Sequence, residues 1–405
     1  MTLEALQEDW LTLLGKEGLE LAVPAATAEY DVNHLAKFAT NNGLQGHCKY
    51  LLSERFEHCG LFDDARQNLT PVLHASMCRA MDAAIAANAP ECDMDVLVVP
   101  SPYREFGAEV TCTPNGYLVM VSPITLPFCF LYSILAVTSA QATGLMRQGL
   151  VVRDETGKEV IDPLEWVYMS HRALSDAVAE FLRTGTITAP MELIRSARFD
   201  LLPWHYTERI QRTYEQMLDF LLLHEFGHIV LNHMKGAGTM RRAIPGTTVT
   251  YEVVAQMVTQ EEQADDFALR CLVGADSAAE LDEFSSLLDQ GNSNLPELDK
   301  FWAGRTSIAR FTSSLQLLKL FDLIENHRIN HQSGFHVTNQ CEIGSTHPSG
   351  QHRMIRAMAA SPNILQLPEG YKFNHENIWD WHNLANITSS NPDKASVLSI
   401  WESIK

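Results

Sequence analysis

Residues 224–228 read His-Glu-Phe-Gly-His. On a helix, His224 and His228 fall one turn apart on the same face, where both imidazoles can reach a single metal ion. Glu225 projects from the neighbouring edge, close enough to take a proton from an activated water without ligating the metal. This is the spacing used for zinc-dependent hydrolysis of peptide bonds. Apolar side chains at Ile210, Tyr214, Met217, Leu218, Leu221 and Leu222 precede the motif with the period of a buried helical stripe. The five residues are therefore expected on a helix rooted in the core.

A hydrolytic zinc site needs three protein ligands and an open position. A third histidine ten residues after His224 would follow a glycine at 231, but those positions hold Met234 and Leu231. The alternative is a carboxylate on a second helix. Residues 251–273 are expected to form one, ending at Gly274. Met257, Val258, Glu261, Ala264, Asp265, Ala268 and Leu272 share one of its faces, and two carboxylates on an apolar face are costly to bury without a cation. Glu261 is thus expected as the third ligand. Asp265, one turn on, is placed to accept the spare N–H of a ligand histidine. Glu262 with Asp266 repeats the spacing one residue later, beside the more polar Gln263 and Arg270, and is the competing register.

Three stretches together resemble the HtpX and CAAX-prenyl-protease group of gluzincin peptidases. They are His224-Glu-Phe-Gly-His-Ile-Val-Leu-Asn-His233, the run Glu261-Glu-Gln-Ala-Asp265-Asp-Phe-Ala268, and Thr346-His347-Pro348 followed by Arg353. More weakly, the chain resembles the phage-exclusion peptidases of the Lit type. The first resemblance covers roughly residues 224–360. It implies that His347 donates to the oxyanion and that Arg353 braces the ligand carboxylate or the substrate backbone. It also implies that a strand like Tyr117–Ser122 lies at the cleft and pairs with extended substrate.

The supporting elements follow from pattern. Residues 2–90 look helical. Asp95–Val99 is β-rich, and Glu109–Thr113 and Tyr117–Ser122 flank Pro114-Asn115-Gly116, a hairpin signal centred on Asn-Gly. Residues 127–200 read as a helical insertion with a polar turn at Arg153–Lys158, and Lys235–Thr248 as a loop between the ligand helices. A further helix is expected near Thr306–Glu325. The implied fold class is α+β, mainly helical: a zincin-like core with a small antiparallel sheet beside the metal-bearing helices. The domains would be a helical N-terminal region (1–90), a metallopeptidase domain (91–360) and a helical tail (361–405) packed on the body.

Composition sets further bounds. A net charge of −20 with no basic stripe excludes a nucleic-acid phosphate binder. No charge interrupts Val110–Met146, yet Pro114, Gly116, Pro123 and Pro127 break the run, and Phe128–Ala142 falls short of the roughly 20 residues of a membrane span. The eight cysteines form no CxxC pair, and the acidic amino terminus is unlike a signal peptide, so reduced thiols in the cytoplasm are expected. His47-Cys48 and His58-Cys59 match no standard zinc module and are expected in the core. The function expected is a Zn2+-dependent endopeptidase with a protein or peptide substrate. A silent metal-binding protein on the same fold and a zinc amidase acting on a small molecule are the rivals.

Overall fold

Every residue from Met217 to Ile229 is buried. A helix buried on all sides must have neighbours on all sides, and the rest of the fold supplies them. The computed structural model describes residues 71–87, 95–101, 106–122, 124–147, 204–234, 239–243, 250–254, 258–273, 307–333 and 348–364, with isolated positions at 5–6, 8–9, 89, 152–153, 159–161, 174, 176, 178 and 180–181. His47-Cys48, His58-Cys59, Thr346, His347 and the tail after residue 364 lie outside them.

The elements run α1 (Pro71–Ala86), β1 (Val96–Pro100), β2 (Ala108–Thr113), β3 (Gly116–Val121), α2 (Thr125–Arg147), β4 (Val152–Arg153), β5 (Glu159–Ile161), α3 (Trp204–Val230), β6 (Thr239–Ala243), β7 (Thr250–Val254), α4 (Val258–Val273), α5 (Ser307–Ser333) and α6 (Gly350–Ile364). The fold is α+β and mainly helical. Helix α3 is its axis, touched by α1, α2, α4, α5 and the strands β2 and β3. All six apolar positions of its expected stripe are buried, and Phe220, Leu223, Phe226 and Ile229 close the remaining sides. Among the described residues no helix is long and apolar enough to cross a membrane; α2 buries Leu126 and Phe128–Val137 against α3 instead.

The main sheet has the order β1-β3-β2, with β3 antiparallel to β2 and parallel to β1. It is mixed, whereas only antiparallel pairing was expected. The β2–β3 hairpin turns at Pro114 and Asn115, because Thr113 pairs with Gly116. The turn falls within the expected Pro114-Asn115-Gly116, and the glycine opens β3 with φ +150°, where a Cβ would meet the Asp95 carbonyl oxygen at 2.3 Å. Strand β3 is paired along both edges and wholly buried. It therefore has no edge on which to receive a substrate strand, contrary to the role the resemblance implies for Tyr117–Ser122.

Two further expectations change. The helix expected over 251–273 begins only at Val258, because Thr250–Val254, rich in β-branched and aromatic residues, pairs as β7 with β6. Lys235–Thr248 accordingly contains a strand of a hairpin, and Val258 stands 44% exposed at the start of α4 instead of on its buried face.

Polar contacts pin the helices to one another. Ser307 and Arg310 of α5 donate to the carbonyls of Val273 and Leu272, which α4 cannot satisfy at its own end. Ser313 donates to Gln216 of α3. Arg79 of α1 donates from Nε and Nη2 to the buried Asp219 of α3, at 2.9 and 2.7 Å. Burial raises the Asp219 pKa to about 6 against the pull of Arg79. Arg79→Met should therefore destabilise the fold by about 2–3 kcal/mol at neutral pH, less than for a fully buried pair because the arginine is a third exposed. The loss should shrink as the pH falls toward about 6, because Asp219 without Arg79 to hold its pKa down takes up a proton above the parent value. Urea denaturation of Arg79→Met and of Arg79→Met/Asp219→Leu tests this: equal losses in the two would remove the buried charge as the cause.

Candidate metal centre

Helix α3 places His224 and His228 one turn apart, with ring centroids 4.8 Å apart and planes at 83°. Helix α4 crosses beside them and delivers Glu261. His224 Nε2 lies 3.2 Å from His228 Nε2 and 3.3 Å from Glu261 Oε2, and His228 Nε2 lies 3.4 Å from Glu261 Oε1. All three side chains are buried, Glu261 and His228 completely. Zinc bound tetrahedrally at about 2.0–2.1 Å sets its ligand atoms about 3.3 Å apart. The imidazole pair has that spacing, each ring lies against a different Glu261 oxygen, and one ligand atom from each residue falls within 4.8 Å of the others; among the described residues no other group of histidine, cysteine or carboxylate side chains gathers in this way.

The crossing depends on small residues. A Cβ on Gly227 would lie 3.0 Å from the Phe267 ring and 3.3 Å from the Ala264 Cα. Ala264 sits one turn after Glu261, so the backbones approach where the Glu261 carboxylate reaches across to the two imidazoles.

Asp265 backs His224. Its Oδ1 lies 2.9 Å from His224 Nδ1, and Arg353 of α6 binds both oxygens, Nε to Oδ2 at 2.8 Å and Nη2 to Oδ1 at 2.6 Å. Arg353 Nη1 is also 3.9 Å from Glu261. The guanidinium is only 7% exposed. It braces the Asp265 carboxylate behind His224 and does not face open solvent. Gly350 makes this possible: a Cβ there would meet the Leu318 carbonyl oxygen at 2.3 Å, so α6 starts against the backbone of α5.

The charges respond to one another. Burial would raise the Asp265 pKa, but Arg353 and His224 hold it down at about 2. With its folded value depressed from 3.8, the carboxylate adds stability at neutral pH that is lost as the pH falls through about 2. Burial and Arg353 work against a charged His224, yet hydrogen bonds to Asp265 and Glu261 raise it to about 10. Burial dominates at His228 and lowers it to about 4 despite Glu261. Asp265 and Glu261 thus favour a charged His224, whereas burial favours a neutral His228. Burial opposes the Arg353 charge, but Asp265, Glu261 and Glu225 raise its pKa. Glu225 is itself 4% exposed.

The competing register has other work. Arg356 binds Asp266 at 2.6 Å and the Glu262 carbonyl at 2.8 Å, and His352 lies 3.3 Å from the Glu262 carboxylate. These contacts clamp α6 onto the outer side of α4. His347 lies outside the described residues; Pro348 and Ser349 lead into α6. Two neighbours of the site went unassigned in the sequence reading. His233 Nδ1 lies 2.9 Å from His228 Nδ1, and its Nε2 lies 3.0 Å from Gln263 Oε1. The sequence signal at His233 was its place at the end of the stretch that carries the resemblance, with no role attached.

Residues 142–287 match the family Peptidase U49. That family is of the Lit type, the weaker of the two resemblances, and the match supports a peptidase. It spans α3 and α4, and so His224, Glu225, His228 and Glu261, but ends before Arg353. No curated protein and no solved structure matches the chain significantly.

The two registers make separable predictions. His224→Ala and Glu261→Ala should each abolish stoichiometric metal, measured by elemental analysis after dialysis. Glu262→Ala should keep the metal and lower only thermal stability, since it loosens an exposed clamp. Metal lost with Glu262 and kept without Glu261 would reverse the assignment.

Proposed function

We propose that the chain is a zinc-dependent endopeptidase that hydrolyses peptide bonds in a protein substrate. The observation that carries this reading is the convergence of His224, His228 and the Glu261 carboxylate, buried together and near enough to share one metal ion, on a helix pair that matches a peptidase family. Zinc bound there would polarise the scissile carbonyl and make an attacking water more acidic.

The chain's own residues would do the rest. Glu225, adjacent to His224 on α3, would accept the water's proton and pass it to the leaving amine. Glu225 is buried beside His224, so its carboxylate is held on the side of the candidate metal centre and away from bulk water. Asp265, fixed by Arg353, would hold His224 Nε2 toward the metal and supply negative charge behind it. His347, just before the start of α6, would donate to the oxygen on which negative charge develops, a contribution typically worth about 3–4 kcal/mol. That role rests on the Thr-His-Pro resemblance and on the position of His347 before Pro348.

Glu225→Gln keeps the shape of the side chain but not the base. It should retain zinc while cleavage falls by roughly 100-fold or more. Cleavage can be followed without a known substrate by labelling new protein amino termini in a lysate incubated with the purified chain. Unchanged cleavage would remove Glu225 from the mechanism, and loss of zinc would make its role structural. No new termini from the zinc-loaded parent would favour a silent binding protein or a small-molecule amidase.

His347→Ala should lower the same rate with zinc content and thermal stability unchanged. Parent-like cleavage in His347→Ala, with a loss in His352→Ala, would move the oxyanion donor to His352.

A further inference from the structure

The two ligand imidazoles are backed differently. His224 has a carboxylate behind it; His228 has a second imidazole. We infer that His233, with Gln263 behind it, is the positioning residue of His228, holding that ring in the Nδ1–H tautomer with Nε2 turned to the metal. The inference rests on the proposed metal centre and assigns a part of it.

The local fold brings His233 to this place. Helix α3 ends with Asn232 in the left-handed region, φ +57°, a conformation asparagine tolerates. The Asn232 N–H donates to the Ile229 carbonyl, and the His233 N–H donates to the carbonyl of His228 itself, each at 3.0 Å. This pair of bonds reverses the chain and lays residue 233 back over residue 228. At such a helix end the contact is ordinarily apolar. Here it joins two imidazoles, with ring centroids 5.1 Å apart and planes at 65°. Leu231 and Asn232 on the same turn are exposed, whereas His233 is buried to 5%. The turn exposes a leucine and buries a histidine, the reverse of what hydrophobicity alone would give.

Only one arrangement of protons satisfies the chain of contacts. His228 Nε2 faces His224 and Glu261, so its lone pair is needed on the metal side and its proton must be on Nδ1. Nδ1–H then donates to His233 Nδ1 at 2.9 Å, which requires a lone pair there. The His233 proton is thereby left on Nε2, which donates to Gln263 Oε1 at 3.0 Å. An amide oxygen only accepts, so Gln263 ends the relay and sets its direction. Gln260 Nε2 adds a contact to the His233 carbonyl oxygen at 3.5 Å. Helix α4 thus supplies one ligand, Glu261, and through Gln263 also orients another. A neutral relay does this without adding a third negative charge beside Glu261 and Asp265.

Zn2+ alone serves as probe, with chelator competition for affinity and Co2+ absorption for geometry. The parent chain should take up one Zn2+, and His228→Ala should lose it. If the parent takes up none, or His228→Ala binds as tightly, the metal centre itself is wrong and this inference falls with it. Given that centre, His233→Phe keeps a ring but no acceptor, and should bind Zn2+ about 10–100-fold more weakly with an altered Co2+ spectrum. His233→Gln, whose amide can accept from His228 and donate to Gln263, should recover most of the affinity and the parent spectrum. Parent affinity and spectrum in His233→Phe, or no recovery in His233→Gln, would overturn the inference while leaving the metal centre standing. Should His233→Phe fail to fold, nitrogen-15 resonances of His228 in the zinc-loaded parent decide: a protonated Nδ1 supports the relay, and a protonated Nε2 refutes it.

Discussion

The crossing of α3 and α4 at Gly227 and Ala264 is the constraint on which the site depends. A glutamate side chain is short, and Glu261 must reach two imidazoles that themselves point only a few ångströms from α3. Larger residues at the crossing would separate the backbones and leave the carboxylate out of reach. Glycine inside a helix is unfavourable by about 1 kcal/mol relative to alanine. Here α3 offsets that weakness by burial from Met217 to Ile229. The axis helix is held by its surroundings more than by its own propensity, which frees one position for close approach.

Close approach brings charge into a dry place. Glu261 is fully buried, Asp265 nearly so, and Arg353 follows them in. Ionised groups without partners would be strongly destabilising in such a setting. The structure arranges them in alternation, from Arg353 to Asp265 to His224 to Glu261. Within that alternation Asp265 and Glu261 favour the charged form of His224, whereas burial disfavours charge on His228. A divalent cation between His224, His228 and Glu261 would satisfy both imidazoles and the carboxylate at once.

Much of this was legible in the residues because helical period is a strong local signal. The stripe leading to His224, the burial of Glu261, Ala264, Asp265 and Ala268, and the contact between Asp265 and a ligand histidine all follow from spacing of three and four. What was not legible depended on pairing partners far along the chain. The segment 250–254 sits directly before a helix and read as its first turns, yet its partner β6 draws it into a strand. The pairing of β1 with β3 takes away the edge that a hairpin alone would have left on β3. Arg353 was expected near the ligand carboxylate or the substrate; only the docking of α6 on α5 shows that it grips Asp265. His233 carried no periodic signal at all, since its placement comes from the left-handed turn at Asn232.

The ambiguity between Glu261 with Asp265 and Glu262 with Asp266 has a structural answer: both pairs are used. A helix that carries carboxylates at two successive registers presents one pair inward and the other about 100° around its axis. On α4 the inner pair meets His224, His228 and Arg353, while the outer pair meets His352 and Arg356. The partners on α6 repeat this pattern, since His352 and Arg353 are adjacent and Arg356 lies one turn on. The exposed contacts contribute modestly to stability, because solvent screens them. Their value is registration. Sliding α6 along α4 by one turn would break the outer clamp and withdraw Arg353 from Asp265 together, so the weak surface pairs guard the position of the strong buried one.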